Sequence, residues 1–242
     1  SLNFKKDNKI EIHKIPFLPV RLFKDYELVS VKKNKIIKTL NSSGTTGNKP
    51  SKIYLDKENA LNQVKVLQII INKVLGTKRL PMLIIDKNLK NINRLNFNAR
   101  VAAINGFSIF GRSHTFLLNE KNEIDYKILN KFLKKYENKK FFIFGFTSLI
   151  FENLINKLSS KLIVKNMKNG ILIHGGGWKK LENLKISNKI FKEKLKKKVG
   201  LENIHNYYGL VEQTGSIFIE CKCGFFIASN FSEVFIRDSN FN

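Results

Sequence analysis

The sequence predicts an α/β fold in which largely parallel strands are flanked by helices and the C-terminal end is rich in β-structure. Three observations carry that expectation. Short, nearly unbroken apolar runs, "PMLIID" (81–86), "FFIFGF" (141–146) and "GILIHGG" (170–176), have the composition of strands covered on both faces. Segments with helical patterning lie around and between them, at 57–75, 94–105, 126–137, 147–158 and 187–198, and alternation of the two types is the mark of a parallel sheet. The stretch 215–238 then departs from that alternation and reads as strand-rich, with Gly224 as the turn of a hairpin.

Each element has its own local reason. The helix at 57–75 opens after Asp56, a side chain suited to capping the first amides, and closes at Gly76. In the helix at 187–198, Ile190, Phe191, Leu195 and Val199 recur at helical spacing and leave the lysines to solvent. The run "HNYYGLVEQTG" (205–215) fits neither type. It is too polar for a core strand and too poor in helix formers for a helix, so it predicts a segment on which something docks. If its start is extended, Tyr207 and Tyr208 point to opposite sides. Glycines follow the strand runs, Gly145 after one, Gly175 to Gly177 after another and Gly209 after "IHNYY". In open α/β sheets ligands gather outside the carboxyl ends of the strands. No internal repeat and no linker rich in Pro, Gly or Ser divides the chain, so residues 1–242 are expected to form one domain.

Composition narrows the function. Of 242 residues, 43% are hydrophobic, enough for a substantial core. No apolar run approaches the ~20 residues of a membrane span, and "SLNFKKDNKI" lacks the apolar stretch of a signal peptide. A soluble cytoplasmic protein is expected. The net charge of +25 invites a nucleic-acid partner, but it is carried by lysine. Arginine, which reads phosphates and bases through its planar fork, is confined to Arg21, Arg79, Arg94, Arg100, Arg112 and Arg237. No basic-aromatic motif accompanies the charge, so no nucleic-acid partner is expected. With Cys221 and Cys223 as its only cysteines, the chain is not a disulfide scaffold. As zinc ligands the pair would need two further partners, of which His205 is one candidate, and small buried hydrophobes are the expectation. His13, His114 and His174 show no partner spacing.

The stretch "NSSGTTGNKPSKI" (41–53) is the second unusual segment. Ser42, Ser43, Gly44, Thr45, Thr46 and Gly47 are all small, which lets backbone amides approach an anion while the hydroxyls add donors. Lys49 and Lys52 add positive charge. Neither G-x-x-x-x-G-K-[ST] nor G-x-G-x-x-G can be laid on it, so it is a phosphate loop of another kind or a surface loop.

"SSGTTGNKPSK" resembles the phosphate-binding loop of the adenylate-forming superfamily, and "NYYGLVEQTG" resembles that superfamily's Tyr-Gly-x-Thr-Glu segment, with Tyr208, Gly209 and Glu212 at matching spacing. "HGGGWKK" (174–180) falls between them, where the superfamily carries a glycine-rich adenine-binding turn. Together "PFLPVRLFK" (16–24), "FGFTSLIFE" (144–152), "GGGWKK" and "VEQTGSIFIEC" are similar to the acyl-protein synthetases, whose best-known members feed fatty acids to the reductase of bacterial bioluminescence. The resemblance covers nearly the whole chain. Two departures stand out. The loop runs Thr-Gly-Asn-Lys-Pro-Ser-Lys instead of Thr-Gly-x-Pro-Lys, so either Lys49 or Lys52 serves the phosphates. Val211 stands in the threonine position, which moves that contact to Thr214 or removes it.

The resemblance implies ATP-dependent, AMP-forming activation of a carboxylic or fatty acid and transfer to a protein thiol, with a CoA ligase of the phenylacetate type or a non-catalytic nucleotide-binding relic as alternatives. It implies ATP and Mg²⁺ as cofactors and, as acyl acceptor, a reductase or carrier protein. It assigns Ser42 to Gly47 to the phosphates, with Thr45, Lys49 and Glu212 in catalytic roles and Glu212 as the magnesium ligand. Tyr208 and Gly209 would lie against adenine beside Gly175, Gly176 and Gly177, and Phe146, Thr147 and Trp178 would line the acyl pocket. Family members continue past "VFIRD" with an aspartate for the ribose and a small mobile domain. Asp238 reads as a strand end rather than that aspartate. The chain is therefore expected to be the large N-terminal subdomain without the small lid domain.

Overall fold

A computed structural model describes residues 11, 15–42, 49–88, 99–158, 167–177 and 186–238. After a single helical turn, α1 (Leu22–Asp25), the strands β1 (Lys38–Asn41) and β2 (Lys52–Leu55) pair antiparallel as a separate two-stranded sheet. Helix α2 (Lys57–Leu75) follows; the Asp56 side chain accepts from the Asn59 amide at 2.9 Å and Gly76 ends it at φ +80°, as the sequence predicts.

The main sheet has seven strands, β3 (Leu80–Lys87), β4 (Gly111–Leu118), β5 (Phe141–Phe146), β6 (Gly170–Gly175), β7 (Asn203–Tyr208), β8 (Phe218–Glu220) and β9 (Phe226–Ile227), in the order β4-β3-β5-β6-β7-β8-β9. The first five pair in parallel and the last two antiparallel. The remaining helices are α3 (Ala99–Ser108), α4 (Tyr126–Lys135), α5 (Thr147–Ile150), which runs on as a π-helical segment Phe151–Lys157, and α6 (Asn188–Val199).

Period-two alternation divides the core into two layers. Met82, Ile84, Phe142, Phe144, Ile171 and Ile173 meet α2 and α3 through Ile71, Leu75, Ile104 and Phe107. Their neighbours Leu83, Ile85, Ile143, Leu172 and Ile204 meet α4, α5 and α6 through Leu129, Phe132, Ile150, Phe191, Leu195 and Val199. Strands covered on both faces read as continuous apolar runs for this reason. Chain β3–α3–β4 runs to one side of β3 while β5–α5–β6 runs to the other. The order therefore reverses between β3 and β5, the kind of switch point outside whose carboxyl strand ends open α/β sheets bind ligands.

Several expectations need correction. The strand 170–176 stops at Gly175, the helix 126–137 stops at Lys135, and the helix 187–198 runs Asn188–Val199 with Ile190 outward. The helix at 94–105 extends to Ser108, while its first residues lie outside the described residues. Half of the segment 147–158 is π-helical rather than α-helical. Among the described residues the tail carries only β8 and β9, joined through Gly224 at φ +88°, so Asp238 does not end a strand. The run at 205–215 opens as the last four residues of β7, a strand flanked on both sides, against the expectation that it is too polar for one. Cys221 and Cys223 are neither buried hydrophobes nor thiols: they form a disulfide at the surface of the hairpin, and bridged sulfurs offer no thiolate to zinc. No helix among the described residues is long and apolar enough to cross a membrane.

Candidate functional site

Sheet register brings three of the predicted segments together. Phe146 pairs with Gly175 and Gly175 with Tyr207, so the ends of β5, β6 and β7 lie abreast. Thr147, Gly176 and Tyr208 are the next residues along each strand. Tyr207 and Tyr208 do face opposite ways. Tyr207 packs on Phe107 at 4.8 Å and Phe144 at 6.2 Å, and burial pushes its phenol up to about 12. Tyr208 is 50% exposed, bordered by Phe218 and Phe226 at 6.2 Å each. A Cβ on Gly175 would stand 2.4 Å from the Tyr207 ring, so this glycine has a packing reason of its own. Gly176 takes φ +80°, which favours glycine, and its missing Cβ would lie 3.1 Å from Phe146.

Beyond β7 the chain turns through 211–215 into β8. Gly209 precedes that turn and does not take a positive φ. It permits the approach of Ile217, 3.1 Å from its absent Cβ, and the left-handed residue is Gly215 at φ +81°. A Cβ on Gly215 would also meet the Gln63 backbone at 2.9 Å. The turn holding Glu212 and Thr214 thus rests on α2, the helix that follows β2 and the candidate phosphate loop. Gln63 is six residues into that helix, about 9 Å of rise. Glu212 is half-buried and has no hydrogen bond or ion pair among the described residues, in a chain of net charge +25.

Of the phosphate loop, Ser43, Gly44, Thr45, Thr46 and Gly47 lie outside the described residues, as does Trp178. What is described is the loop's base. The Ser42 amide donates to the Ser51 carbonyl at 3.0 Å and the Ser51 amide donates to Ser42 Oγ at 2.8 Å, closing the loop where β1 meets β2. Lys49 and Lys52 are exposed, and the fully buried Ser51 Oγ has no partner among the described residues.

Three groups escape motif reading. Asp86, 1% exposed at the end of β3, is held by the Arg100 guanidinium with Nε 2.6 Å from Oδ2. Its signal is a carboxylate closing an apolar strand, a place where an unpaired charge is costly. Glu220 on β8 accepts from Asn188, from Lys192 Nζ at 2.7 Å and from the Asn206 amide at 3.1 Å, tying α6 to β7. His174, fully buried at the end of β6, has Nδ1 2.9 Å from Thr147 Oγ1 and, among the described residues, no partner for Nε2. Desolvation, reinforced by the charge of Lys192, lowers its pKa to about 3.

That shift has a stability consequence. Above the ordinary histidine range neither folded nor unfolded ring binds a proton and nothing is lost. As pH falls through 6.5 the unfolded ring takes a proton that the folded ring refuses until about 3, so stability declines over that window. The contribution is about 2 kcal/mol at a pH of roughly 5. Urea midpoints from neutral to that pH, taken for the protein and for His174→Leu, are expected to show a shallower acid decline in the variant. Parallel declines exclude His174 as the cause.

A family model described as "Acyl-protein synthetase, LuxE" matches residues 3–242. No curated protein matches the chain. Among solved structures, the chain is similar to ATP-bound MatB from Rhodopseudomonas palustris at 14% identity, covering 84% of this chain and 34% of that one, with a TM-score of 0.48. A malonyl-CoA ligase with methylmalonyl-CoA and AMP bound is similar at 12% identity over 79% of this chain and 36% of that one, with a TM-score of 0.47. The Klebsiella oxytoca NpsA N-terminal subdomain, in complex with 3-hydroxyanthranilyl-AMSN, gives 14% identity over 79% and 40%, with a TM-score of 0.43. The chain spans about a third of the length of the first of these.

Proposed function

The chain belongs to the acyl-protein synthetase (LuxE) family, and on that premise we propose that residues 1–242 form the large nucleotide-binding subdomain of an AMP-forming acid–thiol ligase. In the proposed reaction a carboxylate oxygen of a carboxylic or fatty acid attacks the α-phosphorus of ATP. The bond to the bridging oxygen breaks and pyrophosphate leaves. An acceptor thiolate then attacks the acyl carbon of the adenylate, and AMP departs with the electron pair of the broken C–O bond.

The observation that carries this reading is the register Phe146–Gly175–Tyr207. It puts the candidate acyl residues, the glycine turn and the Tyr-Gly segment on neighbouring strand ends, where α/β sheets bind ligands. Tyr208 offers a half-exposed ring to the adenine while Gly176 and Gly177 leave backbone open beside it. Ser42 to Gly47 would surround the β- and γ-phosphates, with Lys49 or Lys52 supplying charge and Thr214 a further hydroxyl. Thr147 and Phe146, with Trp178, would border the acyl group.

The donor set fits magnesium. Glu212 is a carboxylate without a cationic partner among the described residues, the hard oxygen ligand that Mg²⁺ prefers. When bound, the ion would offset phosphate charge that accumulates as the α-phosphorus is attacked. Glu212→Gln keeps the shape and removes the charge. Its ATP affinity is expected to lose its dependence on Mg²⁺ with little change in melting temperature. Intact Mg²⁺ dependence in a destabilised variant would instead make Glu212 a structural residue.

The reading as a whole is tested by ATP–pyrophosphate exchange against a panel of carboxylic acids, scored with the acceptor that discharges the adenylate. Exchange with an acid and discharge to a reductase or carrier-protein thiol is the expected result. Discharge to CoA alone makes the protein a CoA ligase, and ATP binding without exchange makes it a nucleotide-binding scaffold.

A further inference from the structure

We infer that His174 is a positioning residue for the nucleotide site proposed at the ends of β5, β6 and β7, acting through Thr147 on the carbonyl of Gly175; the inference rests on the function proposed above. Strand alternation turns His174 into the layer of α4, α5 and α6, where its ring lies 4.8 Å from Phe191. From there it reaches across to β5. Its Nδ1 is 2.9 Å from Thr147 Oγ1, and the same oxygen is 3.2 Å from the Gly175 carbonyl. A threonine hydroxyl has one proton. If that proton goes to the Gly175 carbonyl, His174 must donate from Nδ1 to Thr147. The relay is then complete: ring N–H to hydroxyl, hydroxyl to carbonyl. Nε2 keeps a bare lone pair, and it is this nitrogen that has no partner among the described residues.

A leucine in that place would fill the layer with no orphaned nitrogen, and a buried polar atom without a partner costs stability. The imidazole supplies what leucine cannot, a donor that fixes the rotamer of Thr147. The end of the relay matters because the peptide plane is rigid. The Gly175 carbonyl and the Gly176 amide share that plane and point in opposite directions, so holding the one aims the other. Gly176, at φ +80°, begins the glycine turn to which the proposed function gives the adenine. Thr147 opens α5 and borders the proposed acyl pocket. One buried imidazole thus links the end of β6 to the start of α5.

Calorimetric titration of the full chain with ATP and Mg²⁺, alongside thermal melts, tests this in a double-mutant cycle of His174→Leu and Thr147→Val. Each single variant is expected to weaken ATP binding ~5- to 10-fold, and the double variant no further than the weaker single, because both cut the same relay. His174→Asn, whose amide can stand in for Nδ1–H, is expected to recover most of the affinity. Multiplying losses in the double variant, or a lower melting temperature with ATP affinity unchanged in the folded protein, would overturn the positioning role and leave the proposed function standing. A native protein that does not bind ATP at all would overturn both.

Discussion

Tyr207→Ala is expected to cost about 3 kcal/mol of stability, a fall of roughly 10 °C in melting temperature, whereas Tyr208→Ala is expected to leave the melt nearly unchanged and weaken ATP binding by about 1–2 kcal/mol. The two residues are adjacent and chemically identical, so only their faces differ. Tyr207 stacks into a cluster with Phe107 and Phe144 and fills the space above Gly175. Truncating it opens a cavity beside a glycine that has no side chain to fill it, and the rigid strands on either side cannot collapse into the gap. Tyr208 is 50% exposed and is bordered by the hairpin rings of Phe218 and Phe226. Its loss removes little buried area from the fold but deletes the aromatic face proposed for the adenine. Thermal melts and ATP calorimetry of both variants decide the matter. A Tyr208→Ala protein that melts early and binds ATP normally would mean the nucleotide does not meet this ring.

The same pair shows which parts of the molecule were legible in sequence. Period two sets Tyr207 and Tyr208 on opposite faces once their strand is granted. The strand itself was hidden, because "NIHNYY" carries polar groups whose partners lie partly across the sheet. The backbone N–H of Asn206, for example, donates to the side chain of Glu220, fourteen residues on, and the His205 ring meets the Glu220 carbonyl. Strand β4 was hidden for a different reason. It lies at the sheet edge, and its exposed Arg112, Ser113 and His114 interrupt the apolar run by which β3, β5 and β6 declare themselves. Strands β1 and β2 are only four residues each, too short for a periodicity to mark them, yet their pairing closes the base of the loop that the motif singled out. Motif spacing thus located strand ends and turns, while the pairs that brace them are set by tertiary contact. Asp86 with Arg100, Glu220 with Lys192 and His174 with Thr147 join residues 14, 28 and 27 apart. No local rule links such positions. The disulfide is a local case: two cysteines two apart read as small hydrophobes until the hairpin turn brings their sulfurs together.

Lys192→Met is expected to destabilise the protein by about 3 kcal/mol or more, and to do so by a larger margin than Glu220→Leu, although the two substitutions cut the same ion pair. The asymmetry comes from where each charge is left. The Lys192 side chain is 27% exposed and Glu220 only 2%. Without Glu220, the lysine swings its ammonium into water, and the residual cost is the Asn206 amide and the Asn188 side chain left short of an acceptor. Without Lys192, the carboxylate stays pinned between α6 and β7 by those same two donors and cannot reach solvent. It keeps two hydrogen bonds but loses the charge that offset its desolvation. The double variant, Lys192→Met with Glu220→Leu, is expected to recover part of the loss relative to Lys192→Met alone, since it removes the stranded charge. Urea unfolding of the two single variants and the double supplies the cycle. Equal costs for the two single variants, or a double variant worse than Lys192→Met, would show that the carboxylate is not buried as an ion held by Lys192. The outcome also bears on the site. Glu220 fastens β7 two residues before Tyr208, so a Glu220→Leu protein that stays folded is expected to bind ATP more weakly through a looser strand end, and unchanged affinity would show that Tyr208 is positioned by its hairpin neighbours alone.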